Sequence, residues 1–156
     1  MKAITLTQPW ATLVAHRLKT IETRSWNIKY RGSLAIHAAK GFPTIAQRVC
    51  FTYPFRFYLA KLGYVERNDT RQYEFPFGAI IATCELVSCV LITEASQEYG
   101  WQIGSKTWVK NECELAFGDF TPGRYAWLLA DIKMLANPIP AKGSLGLWEW
   151  RAEVKQ

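Results

Sequence analysis

Residues Arg17–Trp26 read RLKTIETRSW, and how this stretch is assigned decides the architecture. Thr, Ile and Trp favour extended backbone, and no Pro or Gly interrupts the run, so it is predicted to be a strand. Successive strand side chains point to opposite faces. Thr20, Glu22, Arg24 and Trp26 therefore share one face, and Ile21, Thr23 and Ser25 share the other. Neither set is apolar throughout. A face carrying an acid, a base and an indole suits the wall of a cleft between a small sheet structure and a helix laid over it.

The flanking sequence supplies that helix and sheet. Lys2–Thr7 (KAITLT) reads as a first strand. Pro9 follows it in a first helical turn, and Trp10, Leu13, Val14 and Leu18 recur at helical spacing. Downstream of NIKYRG, residues 33–38 alternate again, with Leu34, Ile36 and Ala38 on one side and His37 on the other. Pro43–Leu62 has helical period, broken at Pro54. VERNDTRQYEFPFG is predicted to be a polar, mobile loop. Ala79–Ile92 reads as a long buried strand with a bend, and EASQEYG as a short helix. GDFTPGR is a turn by composition. It leads into the strand YAWLLADIKML, the connector NPIPAKGSLG and a closing strand, LWEWR. About six strands with two or three appended helices predict an α+β chain: a small β-barrel in a single domain, 1–156.

The bulk numbers agree with one domain. A chain of 156 residues with 49% hydrophobic content can bury a core, and 21% charged residues argue against long disorder. No apolar run reaches the ~18 residues that span a bilayer, and the N-terminus lacks a signal-peptide pattern. Cys50, Cys84, Cys89 and Cys113 show no CxxC spacing and only two histidines accompany them, so no metal site is expected. Reduced thiols and a cytoplasmic location follow as expectations. The net charge of +6 favours an anionic partner, and 14% aromatic residues among the cations suit base stacking beside phosphates. No Walker loop, GxSxG elbow or HExxH is present, and no cofactor is expected.

Residues 8–40, QPWATLVAHRLKTIETRSWNIKYRGSLAIHAAK, resemble the opening of ASCH domains, members of the PUA-like β-barrels. PFGAIIATCELVSCV, ELAFGDFTPGRYAWLLADI and PIPAKGSLGLWEW are similar to later blocks of the same family, in order. The resemblance implies a PUA-like barrel and an association with RNA. Some small bacterial members hydrolyse the amide of N4-acetylcytidine and carry a Lys-Thr-Ile-x-x-Arg block, matched here by Lys19, Thr20, Ile21 and Arg24. In them the lysine, a threonine three residues on and a distant glutamate look catalytic. Lys19 matches, the threonine position is Glu22, and Glu98, Glu112 and Glu114 are candidates for the distant acid.

Two functions are therefore carried forward. The first is RNA or single-strand binding through Gln8, Trp10, Lys19, Glu22, Arg24, Trp26, Arg31, His37 and Lys142. Here Trp26 supplies a stacking wall, Arg24 a forked anion contact, and Lys142 a cation in a glycine-containing loop. Gln8 and Trp10 stand at a helix entry, Arg31 in a turn with Gly32, and His37 on a strand. Asp119, Arg124 and Tyr125 hold the GDFTPGRY turn, with Asp119 able to reach the cleft rim. The second is a small metal-independent enzyme acting on a modified nucleoside of the N4-acetylcytidine type, or a ribonuclease. Lys19 would be its base, with Glu22, or Glu114, as acidic partner.

Overall fold

In the computed structural model, residues 1–64, 73–103, 106–108 and 111–152 are described. The order is β1 (Lys2–Leu6), α1 (Trp10–Ala15), β2 (Ile21–Arg24), β3 (Gly32–Ala38), α2 (Thr44–Val49), α3 (Phe55–Lys61) and β4 (Ala79–Leu91). It continues with α4 (Glu94–Tyr99), β5 (Trp101–Ile103), β6 (Lys106–Trp108), α5 (Glu112–Phe117), β7 (Tyr125–Pro140) and β8 (Leu147–Glu149). The predicted polar loop falls partly on residues 65–72, which lie outside the described set.

α1 ends because Arg17 turns left-handed, at φ 62°. The amides of Leu18 and Lys19 then both bond back to the Leu13 carbonyl, which satisfies a helix-end acceptor and reverses the chain into β2. Six strands form one sheet in the order β2-β7-β4-β3-β1-β8. β1 and β3 pair in parallel and the other neighbours are antiparallel. The long β4–β7 ladder shifts register between Ile80 and Ala82, Thr83 and Glu85, and Leu86 and Ser88. Such irregularities bend a strand and increase its twist.

The sheet accordingly curls into half a barrel. Closure is where the expectation from sequence needs correction: among the described residues no ladder joins β2 to β8, and the sheet stays open. The curl does bring β2 near the end of β1, and there a side chain crosses the gap. Arg24 Nη2 donates to the Thr5 carbonyl at 3.2 Å.

Three of the packed clusters hold the helices and the hairpin to the sheet. Ala11 and Val14 of α1 lie on Leu34, Ile36, Ala82, Leu86, Trp127 and Leu129 from the sheet. α2, α3 and α5 meet through Cys50, Phe55, Leu59 and Phe117 against Leu13 of α1. Ile21, Ile92, Trp108, Phe120 and Leu128 seat the β5–β6 hairpin, and Trp108 Nε1 donates to the Leu129 carbonyl at 3.0 Å. All four cysteines are unbridged, and burial pushes the Cys50 and Cys84 thiols up to about 12. Among the described residues no helix is long and apolar enough to cross a membrane.

Two further differences from the sequence reading have plain causes. NPIPAKGSLG is not all connector, because Asn137–Pro140 continue β7. Beyond Leu129 only β4 flanks β7, and such an edge accommodates proline. The β5–β6 hairpin and α5 have too few residues for a periodic signal, so among the described residues five helices and eight strands stand where six strands and two or three helices were expected.

Leu34 is fully buried on β3 whereas Met134 on β7 is 54% exposed. Leu34→Ala is expected to cost about 2–5 kcal/mol in urea unfolding, and Met134→Ala about 0.5 kcal/mol or less. Similar losses for both would contradict this assignment of the core face.

Candidate functional site

The turn after α1 sends the Lys19 side chain inward, where it is 1% exposed. A buried ammonium needs partners. Lys19 Nζ donates to the Ile21 carbonyl and lies 3.4 Å from Glu22 Oε2. The other Glu22 oxygen sits 3.0 Å from Arg24 Nε. That Nε–H is not aligned for a hydrogen bond, so the contact is an ion pair without being a good hydrogen bond. Lys19, Glu22 and Arg24 form a line of alternating charge along β2, with one positive charge in excess. Glu22 and Arg24 of this line belong to the mixed face in RLKTIETRSW, and Lys19 joins them from the turn before β2.

Beneath it lies Glu114 of α5, which is 3% exposed. Its Oε1 accepts from the Thr20 amide at 2.5 Å and the Thr20 hydroxyl at 2.9 Å. Its Oε2 is buried without a hydrogen-bond partner among the described residues. Burial raises the Glu114 pKa above the ordinary carboxylate value, and the Lys19 charge and Thr20 bonds offset only part of that rise.

Gly118, which follows α5, covers the lysine. A Cβ there would lie 2.8 Å from Phe120 Cε2 and 3.4 Å from Lys19 Nζ, so only glycine lets the backbone approach so closely. The Asp119 amide donates to Thr23 Oγ1 at 3.0 Å and latches this turn onto β2. Hydrogen bonds from Thr121, aided by Arg124, hold the Asp119 carboxyl below its ordinary range.

A groove opens over the charge line. One hollow of about 350 Å³ is lined by Trp10, Glu22, Thr23, Phe117, Gly118 and Asp119, together with Ala116. A second, of about 380 Å³, shares Trp10, Glu22 and Thr23 and adds Arg24, Trp26, Ile45 and Arg124 among its walls. Both indoles are braced edge-on: Trp10 against Phe55 at 5.9 Å and Trp26 against Trp127 at 4.8 Å between ring centroids. Glu22, Arg24 and Trp26 thus converge on one hollow, with Lys19 directly behind Glu22.

Other predicted site residues lie elsewhere. Gln8 is fully buried, its amide nitrogen donating to Pro76 O and its oxygen accepting from the Thr12 amide. Arg31 ties down its own turn through the carbonyls of Ile28, Tyr30 and Cys89. Neither lines the groove. His37, buried against Ala141 O, and Lys142 both line an adjoining hollow. Of the three candidate distant acids, Glu114 stands beside Lys19. Glu112 is exposed, and the Glu98 side chain lies outside the described residues. Sequence inspection missed Thr23, Gly118 and Ile45, for which only α5 and the fold around it supply a reason.

A profile of the ASCH domain family matches residues 4–139. This chain belongs to the ASCH domain family. Among solved structures it is similar to ASCH from Zymomonas mobilis, with 16% identity over 97% of this chain and 88% of that one, at a TM-score of 0.51. A point mutant of that protein is similar at 15% identity over 96% and 89% of the two chains, with a TM-score of 0.50. At these identities the likeness is one of fold. No curated protein matches the sequence. In this ASCH domain the groove lies at the mouth of the half-barrel, where β2 faces α5.

Two outcomes are expected. Glu22→Leu strands the buried Lys19 ammonium and should cost about 3–5 kcal/mol. Adding Lys19→Met should return about 0.5–3 kcal/mol relative to the sum of the two single losses. Additive losses in a denaturant double-mutant cycle would contradict the pairing. Glu114 holds its proton more tightly when folded, so its contribution is complete below 4.5 and declines as pH rises through the raised value. Glu114→Gln lacks this titration, so the parent's stability relative to the variant should shrink as pH is raised above 4.5. A flat or widening difference would rule this out.

Proposed function

We propose that this ASCH domain binds RNA, or another single-stranded nucleic acid, in the groove over β2. The observation that carries the reading is that two braced indoles, Trp10 and Trp26, and the cation Arg24 open into one hollow. Stacking on an aromatic face tolerates any base, and nearby cations follow the backbone phosphates. The Glu22 carboxylate, held between Lys19 and Arg24, is placed to accept from an exocyclic amino group such as that of cytosine. The net charge of +6 supports association with a polyanion.

A second reading has its own support. A buried lysine beside two carboxyl groups, one of them with a raised pKa, is an arrangement suited to proton transfer. Together with the Lys19-Thr20-Ile21-x-x-Arg24 block, it favours hydrolysis of an N4-acetylcytidine-type nucleoside or cleavage of RNA, with Lys19 as base. Glu22 stands where the resembling hydrolases have threonine, so the acid–base partner would be a carboxylate here. Chromatographic assay of N4-acetylcytidine and of RNA separates the two functions. Turnover abolished by Glu22→Gln establishes the enzyme; absence of turnover, with binding intact, leaves the binding module.

For binding, affinity for a short single-stranded RNA measured by fluorescence anisotropy should fall steeply with salt. Arg24→Ala should lower the slope of log affinity against log salt by about 0.7, as one lost phosphate contact. Trp10→Ala should cost about 1–3 kcal/mol. Salt-indifferent affinity, or an Arg24→Ala protein identical to the parent, would end this proposal.

A further inference from the structure

Beyond Arg24 the groove runs into a hollow of about 580 Å³ that the stacking walls do not reach. It shares Thr5, Thr7 and Arg24 with the groove and is bounded on its far side by residues 142–146. Its lining holds three cations, Arg24, Lys40 and Lys142, and no carboxylate. Arg24 is partly matched by Glu22. Lys40 and Lys142 have no acidic partner among the described residues. Two unmatched ammonium groups thus face one cavity on a chain that offers acids elsewhere on its surface.

The loop that carries Lys142 is fastened in place. His37 Nε2 meets the Ala141 carbonyl at 3.0 Å. A carbonyl only accepts, so this nitrogen bears a proton. Burial lowers the His37 pKa, and the Ala141 hydrogen bond offsets part of that fall. Gly143 is pressed onto that ring so closely that a Cβ would lie 2.4 Å from Cε1. Thr5 Oγ1 donates to Ser144 O at 3.0 Å. His37, predicted as a ligand contact, lines this hollow and also holds the lysine's loop at its edge.

We propose that the hollow between Arg24, Lys40 and Lys142 is a phosphate-binding subsite. The assignment rests on the nucleic-acid reading for the carrier of the phosphate: a base between the indoles would place an adjoining phosphate on the far side of Arg24. A terminal phosphomonoester and an internal phosphodiester present the same chemistry to these cations, and the experiment distinguishes them.

The first arm titrates inorganic phosphate into the protein and follows backbone amide NMR shifts. Saturable shifts confined to Gly143, Ser144 and Gly146 are expected, absent from Lys40→Ala/Lys142→Ala and retained in Lys133→Ala, a lysine on a separate face. No saturable shift, or shifts unchanged in the double variant, would overturn the subsite. The second arm compares 5′-phosphate and 5′-hydroxyl forms of one short single-stranded RNA. In the double variant the salt slope should fall by about 0.7, as one lost phosphate contact. A fall confined to the 5′-phosphate form identifies a terminal monophosphate, and an equal fall in both identifies the internal backbone. If RNA binds and the double variant matches the parent with both probes, the subsite is refuted and the groove reading stands. If phosphate binds at the loop and RNA does not, the groove reading fails and the subsite stands.

Discussion

The ammonium of Lys19 must be neutralised inside the protein, and much of the architecture around the groove answers that requirement. A buried cation cannot be left without a counter-charge, so Glu22 is drawn against it. Glu22 in turn aligns Arg24, and Arg24 reaches over to β1. The turn after α5 passes over the same ammonium, and there the Phe120 ring leaves no room for a Cβ at 118. The site is therefore not an addition to a finished sheet. Its charges help determine where β2, α5 and the end of β1 stand.

Rigidity around the groove comes from aromatic packing. Each indole facing the hollow is held by a second ring set nearly perpendicular to it, an arrangement favoured by the quadrupoles of the two rings. Phe117 extends the brace by packing against Phe55 and Tyr58. A surface held this way offers flat faces with little conformational freedom to lose on binding, which favours recognition of planar groups. Ile45 of α2, 74% exposed, adds an apolar edge to the same mouth.

Much of this was legible in the chain, though unevenly. The alternation in RLKTIETRSW holds over Ile21–Arg24 and puts Glu22 and Arg24 on one face, because parity in a strand is a strict geometric rule; Trp26 lies beyond the strand's end and lines the same hollow through the fold. Lys19 broke that parity, and its direction depended on the helix ending at Arg17 in a left-handed turn, which no periodicity reports. Gln8 and Arg31 looked like ligand contacts because polar groups at turns are common in sites. Their partners, Pro76 and Cys89, are brought near only by the fold, from 68 and 58 residues away. Glu114 could be named only as one of three acids, because nothing local fixes which acid a distant lysine meets. The three-residue strands β5 and β6 and the six-residue α5 are too short for a pattern and are made by their packing against Ile21, Phe120 and Leu13.

Where a closed barrel would have a continuous ladder, this sheet has a seam between β2 and β1 fastened by the guanidinium of Arg24 on Thr5 O. A ladder distributes its hold over many equivalent bonds, whereas a clasp of this kind has one point of release. That clasp also lines both the indole-walled hollow and the lysine-lined one. A guest that took the guanidinium from Thr5 O would thus remove a bond across the very mouth it occupies, while β2 kept its ladder to β7.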